Sequence, residues 1–143
     1  MIEIRACARA DAASIRALLR QLGYEVSCEA VGQRVRQLNA TGSDPIFVAC
    51  EAGQPRGLIA LHLCHMIQYQ NPVARVTALV VDDRWRRRGV GRRLMDHALH
   101  WAERAGCEFV ELTSAIDRAE AHAFYRSLGF DPNSLRFRKS LGR

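Results

Sequence analysis

Arg84-Trp85-Arg86-Arg87-Arg88-Gly89-Val90-Gly91-Arg92-Arg93-Leu94 follows an apolar run, Val76 to Val81, and opens a segment where Val90, Leu94, Ala98, Trp101 and Ala105 recur. Val80 and Val81 suit a buried strand, and the later spacing predicts a helix of about four turns. The local order is therefore strand, arginine-rich glycine turn, helix. Glycines at 89 and 91 lack Cβ atoms where a helix offers unpaired N–H groups and the positive end of its dipole. Arginines 86, 87, 88, 92 and 93 surround that point, so the turn is a cradle for an anion and suits a pyrophosphate. It is not a Walker loop, because the only lysine is Lys139. Nor does it supply the three glycines of a dinucleotide fingerprint. What remains is R-x-x-G-x-G, as Arg86, Gly89 and Gly91.

A second stretch runs from Arg118 to Phe130, Arg118-Ala119-Glu120-Ala121-His122-Ala123-Phe124-Tyr125-Arg126-Ser127-Leu128-Gly129-Phe130. Alone it describes an amphipathic helix with two aromatics on its core face and a glycine stop. Together with the first stretch, in this order and separated by one helix and one strand, it resembles the GNAT superfamily of acyl-CoA N-acyltransferases. The resemblance is strong over residues 74 to 130 and extends elsewhere by element order. It implies an α/β (α+β) fold with a mixed, mostly antiparallel sheet, a splayed parallel strand pair and helices on both faces, in a single domain spanning 1–143.

The other elements agree with that order. Ile2 and Ile4 alternate with charged neighbours in a short strand, and Asp11 is placed to cap a helix bearing Ile15, Leu18, Leu19 and Leu22 up to Gly23. A second helix is expected after Ser27, with Val31, Val35 and Leu38 inward, until Thr41-Gly42-Ser43. Ile46–Ala52, a turn over Gly53-Gln54-Pro55-Arg56, and Gly57 to about Gln68 predict a hairpin. Strands are further expected at Cys107–Thr113 and Leu135–Leu141, with Asp117 capping the helix between them.

Composition narrows the partners. In 143 residues a net charge of +6 favours anionic ligands, yet basic residues concentrate only at 84–93 and do not alternate with aromatics, which argues against a nucleic-acid face. The five cysteines, at 7, 28, 50, 64 and 107, form no C-x-x-C and suit free thiols in a reducing cytoplasm. No apolar run reaches the ~18 residues of a membrane span, and the N-terminus has no hydrophobic leader core. His62 and His65 would point to opposite faces of a strand, and nothing completes a site around His97 and His100, so no metal is expected.

The resemblance assigns roles. The pantetheine arm of acetyl-CoA would lie along Leu79, Val80 and Val81, with a backbone N–H near Val80 stabilising the oxyanion. Arg86, Arg87, Arg88, Gly89, Val90, Gly91 and Arg92 would hold the pyrophosphate, and Arg118 and His122 would contact the coenzyme. Tyr125 would protonate the departing thiolate, since a tyrosine pKa of about 10 lies above the thiol's ~8.5. Many members carry a glutamate in the strand entering the glycine turn; here Val76, Thr77 and Ala78 stand there. That leaves Thr77, Glu111 and His122, acting through water, as candidates for the base. The acceptor implied is the primary amine of a small molecule, with a protein amine, or acyl-CoA sensing without turnover, as alternatives. Gly57–Leu63, Glu111–Ser114, Arg118–Tyr125 and Arg136–Leu141 are also similar to the aminoalkylphosphonate N-acetyltransferases. Dimers are common in the superfamily, which leaves a homodimer open.

Overall fold

Alternation at the N-terminus does give a strand, β1 (Ile2–Ala6), which pairs antiparallel with β2 (Ile46–Glu51), Ile4 lying opposite Ala49. The structure, a computed structural model, describes residues 1–143. β2 passes to β3 (Gln54–Cys64) through Ala52 and Gly53, whose φ angles are 51° and 80°. Two consecutive left-handed residues make the tightest hairpin loop, with a twist that matches its strands. The turn is thus shorter than the Gly53–Arg56 segment expected, because Ala52 accepts a left-handed backbone. Pro55 consequently falls inside β3, beside the register shift at Ala49/Cys50, where a missing N–H is tolerated. The strand also stops at Cys64, short of Gln68.

β4 (Val73–Val81) runs antiparallel to β3. Ala60 faces Ala78 and Leu61 faces Val76, so Thr77 is an extra, unopposed residue. The sheet order is β1-β2-β3-β4-β5, and β5 (Val110–Leu112) supplies its one parallel pair with β4. β5 is shorter than the Cys107–Thr113 strand expected. The residues before it are engaged with the loop preceding β4: Glu108 N–H donates to Pro72 C=O, Asn71 to the Glu108 carboxylate, and Tyr69 meets Phe109 edge-on.

α1 (Ala12–Leu22) ends at Gly23 with φ 105°, and α2 (Cys28–Asn39) begins at Ser27, whose hydroxyl accepts the Ala30 N–H at 3.1 Å. Asp11 does not cap α1. Its buried carboxylate turns back, accepting the Ala8 N–H at 2.8 Å and both arms of the Arg5 guanidinium at 2.8 and 2.9 Å. Ile15, Leu18, Val31 and Val35 pack with Val48, Cys50, Leu58 and Val80 on one side of the sheet. α3 (Val90–Arg104) covers the other side with Leu94, Met95 and Ala98 fully buried, worth roughly 1.5–3 kcal/mol for each large side chain. Gly57 sets that contact: a Cβ there would stand 3.1 Å from Leu94 Cδ1 and 3.1 Å from Val80 C=O. Gly57 neighbours Leu58 along β3, so α3 and α1 lie on opposite faces.

Contacts divide the chain into Met1–Glu111 and Leu112–Arg143. The second unit holds α4 (Ala119–Ser127), closed by Gly129 at φ 91°. The position before α4 is Arg118, and no side chain caps the helix, so Asp117 does not have the role expected of it. The strand expected at Leu135–Leu141 is absent. Leu135, Phe137 and Leu141 are 73 %, 88 % and 78 % exposed, and alternation alone makes no strand without a ladder partner. No helix is long and apolar enough to cross a membrane.

Candidate functional site

The site begins where the parallel pair runs out. Ala74 N–H donates to Phe109 C=O at 3.1 Å, and β5 contributes only three residues after that, so the pairing ends near Thr77. From Ala78 to Val81 one side of the β4 backbone therefore has no strand beside it, while the other stays paired, Val80 opposite Leu58. The Val80 side chain anchors this end, 5 % exposed in the core under α1. Leu79 and Val81, the other two residues expected along the pantetheine, flank it on β4.

Asp82 then turns the chain. Its N–H donates to Arg56 C=O at 2.7 Å, and its buried carboxylate accepts the Arg84 N–H at 3.0 Å. That main-chain bond, with the Arg84 guanidinium, holds the Asp82 carboxyl below the usual carboxylate range. Asp83, Arg84 and Trp85 form one 3-10 turn, followed by Arg87 at φ 63° and Gly89 at φ 77°. A Cβ at Gly89 would meet no atom within 4 Å, so the glycine is required by its left-handed backbone and not by crowding within the chain. Between Trp85 and Arg93, whose N–H reaches Gly89 C=O at 3.1 Å, no main-chain N–H has a well-formed partner. Those of Val90, Gly91 and Arg92 are the orphan donors of the helix start.

The arginines divide by partner. Arg84 is drawn to Asp82, Arg86 donates to Asp83 at 2.8 Å, and Arg93 to Ile2 C=O at 2.8 Å. Arg87, Arg88 and Arg92 have no anionic or carbonyl partner and face solvent beside the orphan N–H groups. Arg86 was expected to face the phosphates directly; its pair with Asp83 is exposed on both sides and costs little to exchange for a stronger anion. Trp85 packs against the turn with Arg88 over its ring. Arg56 stands in the expected hairpin turn and Gly57 at the start of the expected strand, and both gain their roles at the site only from the register with β4 and from α3.

In the second unit, His122 Nε2 lies 2.8 Å from Ala115 C=O. A carbonyl only accepts, so Nε2 carries a proton and donates it to that oxygen. Tyr125 packs edge-on with Phe124 and Phe130 at 5.4 and 6.1 Å, and its hydroxyl has no partner within Leu112–Arg143. Burial raises its pKa, opposed by the charge of Arg118. The phenol is therefore fully protonated at neutral pH and able to donate.

The other candidates have local partners. Thr77 donates to Ala60 C=O at 3.3 Å, and Glu111 is held by the Arg75 guanidinium. His62 pairs with Asp44, His97 packs edge-on against Phe47 at 4.4 Å, and His100 Nδ1 lies 2.8 Å from Asp96 C=O. No three His, Cys, Asp or Glu side chains converge as a metal set would. Burial pushes the Cys7 thiol up to about 12 and raises those of Cys50 and Cys107, the reverse of nucleophile activation.

Residues 10–130 match the sequence model of the acetyltransferase (GNAT) family, and the chain belongs to that family. It is 33 % identical over 94 residues to the aminoalkylphosphonate N-acetyltransferase of Salmonella typhimurium, a match covering 66 % of this chain and 61 % of that protein. Against the aminoglycoside N(6')-acetyltransferase type 1 of Stenotrophomonas maltophilia it is 31 % identical over 134 residues, 90 % of this chain and 85 % of the relative. Its fold matches an aminoglycoside N-acetyltransferase solved in complex with CoA at a TM-score of 0.87 and 19 % identity, covering 99 % and 95 % of the two chains.

Proposed function

We propose that this chain transfers the acetyl group of acetyl-CoA to a primary amine of a small molecule by direct attack within a ternary complex. The observation that carries this reading is the unpartnered end of β4 leading straight into orphan N–H groups at the start of α3. The pyrophosphate lies on the N–H groups of about residues 86 to 92, the Arg88 main chain among them, with the Arg87 and Arg92 side chains adding charge. The pantetheine follows Leu79, Val80 and Val81. The amine nitrogen attacks the thioester carbonyl carbon, and the resulting oxyanion is met by the N–H near Val80. The C–S bond then breaks, the thiolate takes the proton of the Tyr125 hydroxyl, and the new ammonium loses a proton through water. Both named relatives are enzymes that acetylate amines of small molecules, which supports that acceptor class over a protein amine.

One observation favours a second reading, an acyl-CoA sensor without turnover. The β4 positions 76–78 carry no carboxylate, Glu111 is paired with Arg75, and Thr77 is bonded within the sheet. The decisive experiment measures thiol release from acetyl-CoA with a panel of aminoalkylphosphonates, aminoglycosides and a peptide amine. Turnover on a small amine is the expected result. CoA binding with no turnover on any amine would favour the sensor, and turnover confined to the peptide would overturn the acceptor class.

A further inference from the structure

We propose that Arg56, Trp85 and Arg88 form a second anion subsite, separate from the main-chain cradle, which binds the 3′-phosphomonoester of coenzyme A. This rests on the acetyl-CoA reading and extends it to the far end of the same molecule.

The guanidinium carbons of Arg56 and Arg88 lie 5.2 and 4.6 Å from the centroid of the Trp85 ring. Two like charges are thus gathered on one indole from separate segments, one from β3 and one from the turn before α3. Neither has a carboxylate within ion-pair distance. Asp82, whose charge reaches Arg56 through space, is already occupied by the N–H and guanidinium of Arg84. Arg56 Nε is moreover buried with no hydrogen-bond partner, a costly arrangement unless an acceptor arrives. The indole face relieves part of the repulsion by cation–π attraction, and holds both guanidinium groups in place. What the cluster lacks is an anion with several acceptor oxygens and more than one charge.

Coenzyme A carries two such groups, a pyrophosphate and a separate phosphomonoester. The orphan N–H groups of residues 90 to 92 suit the first. The paired side chains at Trp85 suit the second, which as a monoester is close to a dianion at neutral pH. The backbone of Arg88 therefore belongs to the cradle, and its side chain to the new subsite.

The test is calorimetric titration with CoA and with 3′-dephospho-CoA at low salt. The unaltered protein should bind CoA at least about tenfold more tightly than dephospho-CoA. Arg88→Gln and Arg56→Gln should each bring that ratio toward one by weakening CoA alone. Trp85→Leu should shrink it too, although it removes no charge. Arg88 is exposed, so its variant keeps the test valid if Arg56→Gln fails to fold. A ratio near one in the unaltered protein, or variants that weaken both ligands equally, would overturn the subsite while leaving the acetyl-CoA reading intact. Binding of neither ligand would remove that reading, and the subsite with it.

Discussion

At Gly89 the backbone φ of 77° excludes ordinary side chains, and there the chain passes from an arginine turn into a helix. Gly89→Val should therefore weaken coenzyme A binding by about 1–3 kcal/mol through backbone strain, with Gly89→Asn milder because asparagine tolerates this region. Titration calorimetry on the two variants checks the order. Gly57 acts by space instead: Gly57→Ala should push α3 off β3 and Val80 and lower stability by about 1–3 kcal/mol, measured by denaturant unfolding. Tyr125→Phe should lower kcat strongly with CoA affinity nearly unchanged. Because burial raises the Tyr125 pKa, its proton is present below that value and lost only as pH rises above about 10. A tyrosine-dependent loss of kcat at pH 8 would contradict the assignment. Gly89 and Tyr125 could be picked out by sequence, since each sits in a local pattern. Gly57 and Arg56 could not, because their neighbours come from β4, the turn after it and α3, far along the chain.

The elements were legible in proportion to how locally they are determined. α3, with its stripe from Val90 to Ala98, and α2, with its Ser27 cap, follow from periodicity and one hydrogen bond. The Asp11 cap and the Leu135–Leu141 strand did not form, because each depended on a partner that local sequence cannot specify. Asp11 found Arg5 across the loop after β1, while the tail has no ladder. This gives the first unit a pH dependence. The Arg5 guanidinium, helped by the Ala8 N–H, holds the Asp11 carboxyl below its usual pKa. A group depressed on folding stabilises above its unfolded pKa of about 3.9, and that contribution is lost as pH falls through the lower folded value. Asp11→Asn should cost about 2 kcal/mol at pH 7 and flatten the loss of stability as pH falls below about 4. Unfolding curves of the two proteins across that range check it, and parallel curves would show that the pair does not carry the pH dependence.

For the molecule as a whole, sheet order and helix placement converge on the end of β4. β1, β2 and β3 build up to it on one side, β5 stops short on the other, and Gly57 lets α3 set its N-terminus against it. The order of elements was legible because two motifs at fixed places in one family pin it; the acceptor was not, because nothing in either motif touches the amine. The central claim is that main-chain amides at the start of α3 grip a doubly charged phosphate linker. Amide NMR shifts during a titration with coenzyme A test it most directly. The largest saturable shifts should fall on residues 88 to 92. If the coenzyme left those amides unmoved, or shifted only residues remote from the turn, the claim would be wrong.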